Sequence, residues 1–166
     1  NADHQYSRNY LRHQVMPSLI ARWPQAATSI SRSAAHLREA QGLLDELAMM
    51  DLAPAEGESD FPWLDLPSLA LAPLQSLSPA RQRNVLSHWL SKRGRLPDTD
   101  HWAGWESLRD ASAQGHPRWR LADGEVHRAG GRIWWLSGAW LQQVKSGIEW
   151  QGPGSPLQLP NNGQVF

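Results

Sequence analysis

Cysteine is absent from all 166 residues. That excludes disulfides and thiolate metal sites and suits a reducing compartment. No apolar run reaches the roughly 18 residues that a bilayer span needs, and no charged-then-apolar leader opens the chain. A soluble, cytoplasmic protein with no membrane partner is expected. Surplus charge is also lacking, because Lys plus Arg and Asp plus Glu both number 16. This argues against a general nucleic-acid sponge or a polybasic membrane binder.

Several chemical signatures are missing as well. There is no G-x-x-x-x-G-K-[ST] or G-x-G-x-x-G phosphate cradle, and no S-G-G-x-D-S loop of the adenylating ATP enzymes. No two of the seven His have H-E-x-x-H spacing, and no nucleophile elbow anchors a Ser-His-Asp site. The expectation is a segment with no complete catalytic site, no metal site and no cofactor of its own. Asp98, Asp100 and His101 form the one compact carboxylate–imidazole group. They read better as the start of a helix than as a metal site.

What is present is a sizeable apolar fraction, 40%, and ten Trp. Charge is sorted into blocks. Residues 1–38 hold five Arg and one acid, residues 39–80 hold eight acids and no Lys or Arg, and residues 81–95 hold five cations and no acid. A neutral chain arranged in this way can still present a basic face.

The spacing predicts an α+β fold: an N-terminal helical bundle with one long helix, then a small antiparallel β-meander. Ser7 is a candidate N-cap for a first short helix, and Pro17 suits the first turn of its continuation. The long helix is predicted from near Gln25 to Asp51. Ala27, Ile30, Ala34, Leu37, Gln41, Leu44 and Ala48 form its seam, expected to pack on other helices. A short strand is expected over Phe61 to Leu66. Ser78-Pro79 starts another helix, and Leu96-Pro97-Asp98 starts a third carrying Trp102, Trp105 and Leu108. Strands are then expected near Trp119 to Leu121, Glu125 to Arg128 and Arg132 to Leu136, with turns at Asp123-Gly124 and Gly130-Gly131. A weaker strand is expected near Ile148 to Trp150, and a final hairpin around Asn161-Asn162-Gly163. The chain reads as cut at both ends.

Three surfaces are candidates for binding. Arg81, Arg83, Lys92, Arg93 and Arg95, extended by Arg118 and Arg120 on a strand, suit phosphates without reading sequence. Arg8, Asn9 and Arg12 are dense in donors for phosphate or carboxylate partners. Most Trp fall on core-facing positions, with Trp134 and Trp140 the best candidates for exposed stacking on sugars or bases.

Asn1-Ala2-Asp3, then Tyr6-Ser7-Arg8-Asn9-Tyr10-Leu11-Arg12, then Val15-Met16-Pro17, resembles the S-N-x-D…R-N-x-L-R…V-x-P stretch of bacterial tRNA(Ile)-lysidine synthetases. Arg22-Trp23-Pro24, Arg32-Ser33-Ala34-Ala35, Leu43-Leu44-Asp45-Glu46-Leu47, Arg81 to Leu90, Leu96-Pro97 and Ile133-Trp134-Trp135 continue the resemblance in order. The resemblance implies a parent enzyme that uses ATP and Mg2+ to attach L-lysine to the wobble cytidine of tRNA(Ile) with a CAU anticodon. It implies that residues 1–23 end the catalytic domain, that 24–145 form the substrate (tRNA) recognition domain, and that 146–166 begin a linker. Arg8, Asn9 and Arg12 would then border the active site, and the fragment alone would be inactive. Two rival readings are a Trp-rich carbohydrate-binding module and a helical protein-interaction module. The first requires exposed, roughly coplanar Trp rings; the second requires an exposed seam on the long helix.

Overall fold

A computed structural model of the chain describes residues 7–57, 64–112, 115–142, 157–158 and 164–165. It divides into two compact units, residues 1–46 and residues 47–166.

The first unit is helical. Helix α1 spans Ser7–Tyr10, a π-helical stretch covers Leu11–Val15, and α2 spans Met16–Arg22 with Pro17 in its first turn. Ser7 lies inside α1 rather than capping it. Helix α3 runs Ala26–Leu52, close to the predicted bounds. Its seam departs from expectation: Ile30, Leu37 and Leu44 are exposed, and its buried residues are Ala48, Asp51 and Leu52 at the C-terminal end. Heptad spacing reports that a helix has an apolar side; it does not supply a surface to cover it.

The second unit holds the core. Strand β1 (Ser68–Ala70) leads directly into the short helix α4 (Leu71–Gln75). Helix α5 (Pro79–Ser91) starts at Ser78-Pro79 as predicted, although the Ser78 side chain makes no capping bond. A 3-10 turn (Thr99–His101) precedes α6 (Trp102–Asp110). Strands β2 (Arg118–Leu121), β3 (Gly124–Ala129) and β4 (Arg132–Leu136) form the expected meander. A fourth strand joins it, giving the antiparallel order β1-β4-β3-β2 with Leu69 opposite Ile133 and Val126 opposite Trp135. The expected strand over Phe61 to Leu66 is corrected: residues 64–66 are not strand, the pairing begins at Ser68, and residues 61–63 lie outside the described residues. A final pair, β5 (Leu157–Gln158) and β6 (Gln164–Val165), matches the predicted hairpin. The strand expected near Ile148 to Trp150 lies outside the described residues.

Turn chemistry explains two details. Gly130 and Gly131 both have positive φ, 57° and 69°, as a tight two-residue hairpin turn requires. The preceding turn sits one residue earlier than predicted, at Ala122-Asp123, because Leu121 pairs with Gly124. Gly124 is instead needed for close packing, since a Cβ there would come within 2.4 Å of the Trp135 ring.

Helices α5 and α6 lay Val85, Leu86, Trp89, Leu90, Trp105 and Leu108 against Trp119, Val126, Ile133 and Trp135 of the sheet. Polar ties fix the layers. Buried Gln82 donates to the Leu77 carbonyl (2.9 Å) and accepts from the Trp105 indole (3.0 Å) and from Arg109 (3.1 Å). Arg128 of β3 donates to the carbonyls of Leu108, Arg109 and Ala111, satisfying the orphan C-terminal end of α6.

Candidate nucleic-acid interface

The basic run divides into cations built into the fold and cations left outward. Arg81 forms a two-pronged pair with buried Asp51, with Nε to Oδ2 at 3.0 Å and Nη2 to Oδ1. The hydrogen bond to Asp51 holds the Arg81 guanidinium pKa above its ordinary value. Arg93 folds back along α5 with its guanidinium 4.1 Å from the Trp89 ring centroid, and it donates to the Trp89 carbonyl. Burial lowers its pKa, but arginine stays charged. Arg83, Lys92 and Arg95 are exposed.

Arg95 is placed by its backbone, whose N–H donates to Asp123 Oδ2 (2.6 Å) in the β2–β3 turn. That contact carries the end of the basic run to the tip of the hairpin. Arg95 and His101 line one shallow hollow there, and His101, Arg118 and Arg120 line the next. The structure therefore brings together Arg95, Arg118 and Arg120 around His101.

Asp98 N-caps the 3-10 turn, accepting from the His101 N–H (3.3 Å) and pairing with the His101 ring. The His101 hydrogen bond is the main cause of the depressed Asp98 pKa. Asp98 thus takes the expected capping role. Among the described residues no group of three or more His, Cys, Asp or Glu comes together for a metal.

The outer sheet face adds residues that sequence reasoning missed. Glu125 accepts from Arg120 (3.3 Å) and is joined to His127 Nε2 (2.8 Å). Desolvation pushes the Glu125 pKa up, but the His127 hydrogen bond and nearby Arg118 and Arg120 outweigh it and leave the carboxyl below its ordinary range. The two-residue alternation of β3 places Glu125 and His127 on one face; only the strand register shows that Arg118 lies opposite His127 and Arg120 opposite Glu125.

Trp134 corrects an expectation. It is only 6% exposed, and its indole donates to the Ala129 carbonyl (3.1 Å). The opposite sheet face is itself partly covered, so alternation with Trp135 did not expose it. Trp140 is half-buried, while Trp89, Trp105, Trp119 and Trp135 are core. Among the described residues Trp23 alone is an exposed Trp, so they form no row of exposed rings such as a carbohydrate platform requires. The exposed α3 stripe would suit an interdomain helix as well as an interaction module, so it favours neither.

In the first unit, Arg8 and Arg12 are exposed and Asn9 is half-buried. Arg12 lies within the π-helical stretch, an uncommon conformation often found at functional sites. No described helix is long and apolar enough to cross a membrane.

Residues 69–134 match the TilS substrate binding domain. The match covers β1 through most of β4, including every cation from Arg81 to Arg120 considered above. A tRNA(Ile)-lysidine synthase of Pseudomonas fluorescens is 61% identical over 166 residues, all of this chain and 38% of that protein. One from Pseudomonas syringae pv. tomato is 56% identical over 165 residues, 99% of this chain and 37% of that protein. One from Enterobacter sp. is 34% identical over 173 aligned positions, covering all of this chain and 38% of that protein. The chain spans less than two fifths of the length of these relatives. The chain is thus similar along its whole length to part of tRNA(Ile)-lysidine synthases, and its second unit carries the match to their substrate binding domain.

Proposed function

We propose that this chain is the tRNA-recognition part of a cytoplasmic ATP-dependent ligase that attaches lysine to the wobble cytidine of tRNA(Ile) bearing a CAU anticodon. The supporting observation is that the substrate-binding match at 69–134 falls on the folded unit whose surface carries the outward cations. Arg83, Lys92, Arg95, Arg118 and Arg120 contact backbone phosphates. Arg81 and Arg93 add positive charge from positions fixed by Asp51 and Trp89. Such contacts hold a polyanion and orient it without selecting bases.

Arg8, Asn9 and Arg12 border the active site of the intact enzyme. Residues 1–23 end its catalytic part, 24–145 recognise tRNA, and 146–166 begin a linker. ATP and Mg2+ belong to the parent reaction, but the described residues offer no metal-binding cluster and the sequence no phosphate loop. No residue of this chain is assigned to either, and the segment alone is expected to be inactive.

The test is tRNA(Ile) binding by the full-length enzyme at two salt concentrations. Neutralising Arg83, Lys92, Arg118 and Arg120 should weaken binding and reduce the log–log salt slope by about 1 per lost phosphate contact. An unchanged slope would refute the interface.

A further inference from the structure

The sheet has a second face, turned away from the Trp119, Val126, Ile133 and Trp135 core, and strand register sets what lies on it. Residues directly opposite each other in an antiparallel pair share a face. Arg118 stands opposite His127, His127 opposite Trp134, and Trp134 opposite Ser68. These four make one row across all four strands. The next row holds Arg120, Glu125 and Leu136. The face thus grades from basic at the β2 edge to apolar at β4.

The apolar end is concave. Leu64 and Leu66 on the approach to β1, His127 of β3, Trp134 and Leu136 of β4, and Trp140 line a hollow of about 360 Å3. Trp140 comes from the 3-10 turn Gly138–Leu141, which packs back against β3. Gly138 permits that reversal with a φ of 57°. The Trp134 indole N–H is already taken by the Ala129 carbonyl, so its ring offers the hollow apolar surface alone. The rest of the lining is apolar too. An occupant is therefore held by ring and aliphatic contact, with no hydrogen bond inside the hollow.

The neighbouring charges define the occupant further. Glu125 is joined to Arg120 and to His127 Nε2, which offsets the carboxylate on this face. Arg118, at the head of the row, is exposed. Two strand spacings, about 10 Å, separate the Arg118 and Trp134 backbones. That is the scale of one nucleotide from phosphate to base. An apolar side chain would fill the hollow but has no use for the cation beside it. A flat ring carrying an anion on a short tether matches both ends, and unpaired RNA supplies one at every nucleotide.

We propose that this hollow seats one unpaired base of an RNA loop, stacked on Trp140, with the adjoining phosphate on Arg118. The apolar lining selects an unstacked base over a paired one, not one base over another. This rests on the tRNA reading above and adds to it a contact that is not electrostatic.

The experiment measures tRNA(Ile) binding by the full-length protein across a salt series. Trp140→Ala should weaken binding roughly 5- to 150-fold, the range for losing one stacked base. The log–log salt slope should stay unchanged, because no phosphate contact is lost. Arg118→Gln should instead lower that slope by about 1. Trp140→Phe should keep most of the affinity, and a Phe variant as weak as the Ala variant overturns the stacking contact. Should Trp140→Ala not fold, Trp140→Leu, which keeps an apolar wall without the ring, takes its place. Full tRNA affinity in the ring-less variant overturns the seat and leaves the tRNA reading standing; if thermal stability falls at the same time, the hollow is filled by protein instead. Weaker binding with a lower slope also overturns the seat, since Trp140 would then act by holding cations in place. Failure of tRNA to bind the unmodified protein is the separate failure of the tRNA reading.

Discussion

The long helix and the helix-on-sheet unit use similar apolar residues with opposite results. Between Ser7 and Leu47 no residue is buried, and Leu37 of α3 is 71% exposed. In the second unit Leu74, Leu86, Leu108 and Ile133 are all at or below 1% exposure. The exposed length of the helix has only its own periodicity, while the other unit has three helices and four strands converging on the same volume. A stripe becomes a core where several stripes meet.

The contrast can be broken by truncation. Trp105→Ala should destabilise the second unit by about 3–5 kcal/mol, whereas Leu37→Ala should stay within about 0.5 kcal/mol. Urea unfolding monitored by far-UV circular dichroism measures both, and equal effects would erase the distinction.

A smaller effect is expected at Arg132. It is 9% exposed and donates to Ser68 Oγ (3.0 Å) and to the Gly57 carbonyl (2.9 Å). Arg132→Met keeps much of the bulk but leaves those acceptors unpaired, costing about 1–3 kcal/mol. Loss of tRNA affinity without loss of stability would instead mark Arg132 as a surface contact.

The smallest effect concerns pH. The Glu125 carboxyl is depressed in the folded state. Its contribution is therefore present above the ordinary carboxylate range and is lost as pH falls through the folded-state value. Stability curves of the native protein should drop more steeply on acidification than those of Glu125→Gln, and coincident acid limbs would show that the His127–Glu125–Arg120 chain is energetically silent.

Much of this fold was legible in the sequence because its signals are local. The Ser78-Pro79 start, the Gly130-Gly131 turn and the span of α3 each depend on neighbours within a few residues. Strand β1 was hidden because Ser68–Ala70 is three residues long and acquires meaning only beside β4. The site was half legible for the same reason. Charge blocks pointed to Arg81 through Arg95, yet Arg81 and Arg93 are tied down by Asp51 and Trp89, partners that a charge count does not reveal.

The three carbonyls gathered by Arg128 have a consequence for motion. A helix end that is capped from a strand cannot fray without uncovering those carbonyls and stranding the cation. Helix α6 and the β2–β3–β4 sheet should therefore open as a single cooperative unit in hydrogen exchange, with their amides protected to similar depth. The face of α6 and the β2 edge it packs against would then keep a fixed spacing through the fluctuations that open less firmly tied parts of the chain.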